Sequence, residues 1–95
     1  MPIDPHRRDE IAAAVAAYNG ANPLAPLPRN AARLLIVMFA TSNVCRRSFD
    51  DIAASGFSRR TLPLTLERLV SAGFLSHQRG LSADIYQLHL PPVRR

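Results

Sequence analysis

Between residues 46 and 79 the chain carries hydrogen-bond donors spaced for contact with an extended anion. Arg59, Arg60, Thr65, Arg68 and Ser71 fall on one side of a helical period. Guanidinium and hydroxyl groups are among the side chains that most often meet phosphate oxygens. Ser58 and Thr61 stand at the start of the same segment, where the unpaired N–H groups of a first helical turn would add to them. Arg46, Arg47 and Ser48 precede a shorter segment, and Arg79 lies between two strand-like runs. Such a set can hold a polyanionic backbone.

Other chemistry finds little to work with. His6, His77 and His89 are scattered over the terminus and the strand-like runs, and the carboxylates Asp50 and Asp51 have a helix to cap. No Gly-rich phosphate loop or nucleophile motif occurs, which points away from an enzyme. His77 and His89 would lie on opposite strands and could meet across them, but with no acidic or thiol neighbour they make a poor metal site, and neither metal nor cofactor is expected. Cys45 stands alone, so it forms no internal disulfide. Arg46 and Arg47 beside it would lower a thiol pKa, the condition for an oxidant sensor; the plainer alternative is a small, partly buried side chain at a helix–loop junction.

The elements that must position these residues are marked by caps and periodicity. Asp4 and Pro5 open a first helix over 4–19, with Ile11, Val15 and Tyr18 at helical spacing and a smooth alanine surface around them. That helix either meets a second copy or packs on its own domain. Residues 20–29 contain three prolines and read as an ordered, extended connector with Leu24 and Leu27 laid against the domain. Asn30 caps a second helix, Ala31 to Thr41, apolar nearly all round and therefore central. A loop, or a very short strand through Val44 and Cys45, leads to a third helix capped by Ser48 and stopped by Gly56, with Ile52 and Ala53 inward.

Ser58 caps the fourth helix, whose inward stripe is Leu62, Leu66, Leu69 and Val70, and Gly73 ends it. The runs 74–78 and 85–90 then make a hairpin with Tyr86, Leu88 and Leu90 on one face, closed off by Pro91 and Pro92.

Composition agrees with a single domain spanning 1–95: an N-terminal helix, the connector, and a core from 30 onward. Its hydrophobic content of 47% is ordinary for a folded chain. No apolar run approaches the roughly 20 residues that cross a bilayer, and the start of the chain lacks a secretory signal, so a cytoplasmic protein is expected. The net charge of +5 comes from arginine alone, and the balance is +1 over residues 1–45 against +4 over 46–95. The positive excess therefore sits on the half that carries the donors.

Three segments resemble the winged-helix transcriptional regulators of the MarR and ArsR type. They are Ser48-Phe-Asp-Asp-Ile-Ala, Gly56-Phe-Ser-Arg-Arg-Thr-Leu, and Leu66-Glu-Arg-Leu-Val-Ser-Ala-Gly-Phe-Leu, and the resemblance they carry, running on into the wing, covers about half the chain. The resemblance implies an α+β, mainly helical fold: a winged helix-turn-helix with an added N-terminal helix and a C-terminal two-stranded wing. It implies a recognition helix near 58–72 in the major groove of double-stranded DNA and a wing near 76–88, commonly in a homodimer on an inverted repeat, with repression as the default. The DNA contacts would then be Arg46, Arg47, Ser48, Ser58, Arg59, Arg60, Thr61, Thr65, Arg68 and Arg79. Pro63 and Leu64 depart from the pattern, because such regulators present polar or basic residues there. Pro63 either shifts the helix start to near Thr61-Leu62 or bends the first turn. Leu64 would touch a thymine methyl or a protein. The alternative is accordingly a protein-binding winged helix, an anti-activator or assembly subunit, with Ile11, Val15, Tyr18, Pro63 and Leu64 as its interface.

Overall fold

Caps and prolines set most element boundaries in the computed structural model, which describes residues 4–79 and 84–90. Helix α1, Pro5–Ala21, starts where the Asp4 side chain accepts from the backbone N–H of His6. It continues two residues past the expected stop, because Gly20 is tolerated within it and Asn22 closes it, donating from Nδ2 to the carbonyl of Tyr18 at 2.8 Å. Ile11 and Val15 are buried in the chain's own core, and Tyr18 packs edge-on against Phe74 at 5.7 Å. The three residues expected to meet a partner are therefore spent on the domain itself.

The connector is ordered by specific bonds: the N–H of Leu27 donates to Asn19 Oδ1 at 2.8 Å and Ala25 N–H to the Asn22 carbonyl at 3.1 Å. Leu27 is buried as expected, but Leu24 is not laid against the domain; at the tip of this turn it is 99% exposed. Helix α2, Ala31–Met38, stops three residues before Thr41, and Asn30 makes no side-chain capping bond. Leu34, Leu35 and Met38 fill the centre of the core with Phe39, which follows the helix. Arg7 of α1 donates through Nε to the Phe39 carbonyl and through Nη2 to Asn43 Oδ1 at 2.7 Å, clamping the turn after α2.

Strand β1, Val44–Cys45, is the short strand the sequence left open, and it adds a third strand to the expected hairpin. Helix α3, Phe49–Ala54, is capped by Ser48 Oγ accepting from Asp51 N–H at 3.1 Å and ends at Gly56, whose φ of +107° suits glycine. Helix α4, Leu62–Ser71, ends at Gly73 (φ +89°). Strands β2, Leu75–Arg79, and β3, Asp84–Leu88, pair antiparallel, and the sheet order is β1-β3-β2. The register sets Leu75 opposite Leu88, His77 opposite Tyr86 and Cys45 opposite Tyr86 on the other side. Among the described residues, four helices and a three-stranded antiparallel sheet thus make an α+β fold around one apolar cluster. The hairpin tip, residues 80–83, and the prolines expected to end the last strand lie outside the described residues. No helix among the described residues is long and apolar enough to cross a membrane.

Candidate functional site around the fourth helix

Pro63 determines where α4 begins. A helix running from Ser58 would need a backbone donor at 63 and would press the proline ring on the carbonyl of Arg59. The chain instead makes a turn: Thr61 and Leu62 N–H both donate to the Ser58 carbonyl at 3.2 and 2.9 Å, and Arg60 N–H donates to Ser58 Oγ at 3.2 Å. Ser58 therefore organises the turn, and Thr61 takes the cap position without a side-chain capping bond. Pro63 sits in the first turn, where a missing N–H costs nothing.

This turn meets the start of α3. The Arg59 guanidinium pairs with Asp50 and lies 5.7 Å from the centre of the Phe49 ring. Arg47, on the chain leading into α3, donates to the Asp51 carbonyl at 3.1 Å and to Ser55 Oγ at 2.7 Å, so it braces that helix. Arg46, Arg60 and Arg79 are exposed and have no side-chain hydrogen bond among the described residues.

Two expected contact residues are elsewhere. Thr65 is 2% exposed, with its hydroxyl donating to the Thr61 carbonyl at 3.2 Å and lying 3.5 Å from Asn30 Oδ1. A threonine that bonds back to the carbonyl four residues earlier satisfies its own polar group and can be buried. Arg68 reaches across to the connector, donating to the Pro26 carbonyl at 2.7 Å. Val70 is also misplaced by the sequence pattern, since it is 40% exposed and the inward set is Leu62, Thr65, Leu66, Leu69 and Ala72.

The outward surface of α4 is consequently Pro63, Leu64, Glu67, Val70 and Ser71, with Leu64 59% exposed. One flank of it borders a groove of about 400 Å³ lined by Phe49, Pro63, Leu66, Glu67, Val70, His77 and Tyr86. The groove joins the start of α3, α4 and the base of the hairpin. Phe49, Glu67, Val70, His77 and Tyr86 are not among the contact residues expected from the sequence, which places Val70 in the inward stripe of the helix and Tyr86 on one face of the hairpin. The signal was the spacing 63, 67, 70, a second stripe that appears once Pro63 fixes the helix start.

His77 stacks on Tyr86, with centroids 4.4 Å apart and planes 8° from parallel, and its Nε2 lies 3.3 Å from Asp84 Oδ1. Burial first, and then the nearby Asp84 and Cys45, push the Tyr86 hydroxyl above the usual tyrosine range, so the ring stays neutral. His89 does not join His77: its Nε2 is 2.6 Å from Ser76 Oγ. Cys45 lies in β1 beside β3, opposite Tyr86, and is buried, whereas the plainer reading has it partly buried at a helix–loop junction. Comparison of the chain with protein-family models, with curated proteins and with solved structures gives no match in any of the three.

Proposed function

We propose that this chain is a winged-helix domain that binds double-stranded DNA as a transcriptional regulator, repressing by occupying an operator. The observation that carries the reading is the Arg59–Asp50 contact, which sets the leading turn of α4 beside the start of α3. Phosphates would be held by Arg46, Arg59 and Arg60, with Arg79 on the hairpin side. Each of these arginines lies within four residues of a side chain lining the shared groove. Thr65 and Arg68 leave the contact set. Base reading falls to Leu64, which suits a thymine methyl, and Glu67, which can accept from a cytosine amino group.

The same outward face favours a second reading. Leu64, Pro63 and Val70 are exposed apolar residues where a DNA reader would present donors, and such a surface suits a protein partner. Selection of random-sequence duplexes at low and near-physiological salt separates the two. Enrichment of an inverted repeat that survives the higher salt supports a sequence-specific regulator acting as a pair of copies. Weak, unselective binding that vanishes with salt leaves the protein-docking reading.

A further inference from the structure

Among the described residues four large apolar side chains are exposed; Val44 stands apart on β1, and the other three lie on or beside α4. Leu64 and Val70 are on α4, and Leu24 stands on the connector that Arg68 of α4 holds at Pro26. At about 100° per residue, Pro63, Glu67 and Val70 face one flank of α4 and Arg68 faces the other. Leu64 and Ser71 form the ridge between. A groove and a projecting leucine thus lie on opposite sides of one ridge. A two-fold axis running along such a ridge makes two identical contacts at once, each leucine entering the other copy's groove.

Charge follows the same division. Glu67 lines the groove and has no ion pair among the described residues, while the connector flank carries Arg68 and Arg29. Across the two-fold, each copy's carboxylate would face the other copy's arginine flank. The leucine is also held ready. Its turn is fixed by the Ala25–Asn22 bond and by Asn19 Oδ1 at Leu27, so little freedom is lost on docking.

We propose that a second copy of this chain docks across α4, with Leu24 of each copy seated in the other's groove against Pro63 and Val70, and that this pairing competes with DNA for the same face. The docking stands on the surface itself; the competition rests on the DNA reading. It is a self-masked state distinct from two copies side by side on an inverted repeat.

Sedimentation velocity of the full chain, from micromolar to hundreds of micromolar, tests the docking. The wild type is expected to dimerise, and Leu24→Gln and Val70→Gln are each expected to remain monomeric with unchanged circular dichroism. Leu24→Cys combined with Val70→Cys in a Cys45→Ser background is expected to form an interchain disulfide on mild oxidation. A wild type that stays monomeric overturns the proposal, and so does a dimer that both glutamine variants leave intact. Anisotropy of a labelled duplex tests the competition. Where the wild type is largely dimeric, Leu24→Gln is expected to bind about threefold tighter, the factor by which masking reduces the competent fraction. Dimers that dissociate in Leu24→Gln while no variant binds DNA would keep the docking and overturn both the competition and the DNA reading.

Discussion

The guanidinium of Arg68 donates to the carbonyl oxygen of Pro26 at 2.7 Å, joining α4 to a connector 42 residues earlier in the chain. An arginine that the sequence pattern assigns to DNA contact is thereby used to hold the fold together. Its bond secures a segment whose prolines leave it few backbone donors of its own.

Arg68→Ala should therefore loosen the connector more than it weakens a polyanion complex. A hydrogen bond to a charged donor is worth about 1.5–3 kcal/mol when sheltered, and exposure to solvent reduces this to roughly 1 kcal/mol. The urea midpoint should fall accordingly, and amide exchange around Ala25 and Leu27 should quicken. Unchanged exchange there would mean that the connector is held by Asn19 and Asn22 alone.

Thr65→Val should cost about 1 kcal/mol in urea unfolding, because a buried hydroxyl leaves and its acceptors on Thr61 and Asn30 lose a donor. Duplex affinity of the folded variant should equal that of the wild type. A loss of affinity without a loss of stability would return Thr65 to the contact surface.

The fate of Thr65 shows what the sequence made legible. Caps at Asp4 and Ser48, the glycines at 56 and 73 and the alternation through Tyr86 and Leu88 follow from local rules, and the structure has them where those rules put them. The facing of α4 was harder to read. Polarity alone placed Thr65 outside and Val70 inside, whereas the proline-set helix start and the threonine's bond to Thr61 reverse both. Leu24 was read as buried because it is a leucine, yet a turn closed by its own backbone bond projects it into solvent. The groove needed three elements distant in sequence to come together, and no local pattern records that.

Two glycines should respond oppositely to alanine, although a Cβ would meet nothing within 4 Å at either. Gly56 has a φ of +107°, a region costly for other residues, so Gly56→Ala should lower stability by about 1–2 kcal/mol through backbone strain alone. Gly20 is helical, so Gly20→Ala should raise stability by about 0.5 kcal/mol. Chemical denaturation of both variants checks the pair, and a neutral Gly56→Ala would show that the turn relaxes.

The raised Tyr86 pKa gives stability a pH dependence of known sign. The unfolded chain releases the tyrosine proton near the ordinary value of 10.0, while the folded chain holds it to higher pH. The native state then binds more protons, so the contribution is complete below the ordinary value and is lost as pH rises through the folded one. The melting temperature of the wild type should fall more steeply above that point than that of Tyr86→Phe. Parallel curves would remove Tyr86 as the source.

Arg59 and Arg60 should contribute unequally to duplex binding. Each phosphate contact contributes about 0.9 to the slope of log affinity against log salt, so Arg60→Ala should reduce the slope by about one and weaken binding across all sequences. Arg59→Ala also removes the partner of Asp50, leaving an uncompensated carboxylate at the start of α3 beside the proposed backbone contact. Its affinity loss should therefore exceed that of Arg60→Ala, and Arg59→Ala combined with Asp50→Asn should recover part of the difference. Anisotropy titrations at several salt concentrations read both quantities. Equal affinity and slope in the double alanine variant would take this face out of DNA binding and leave it to a protein partner.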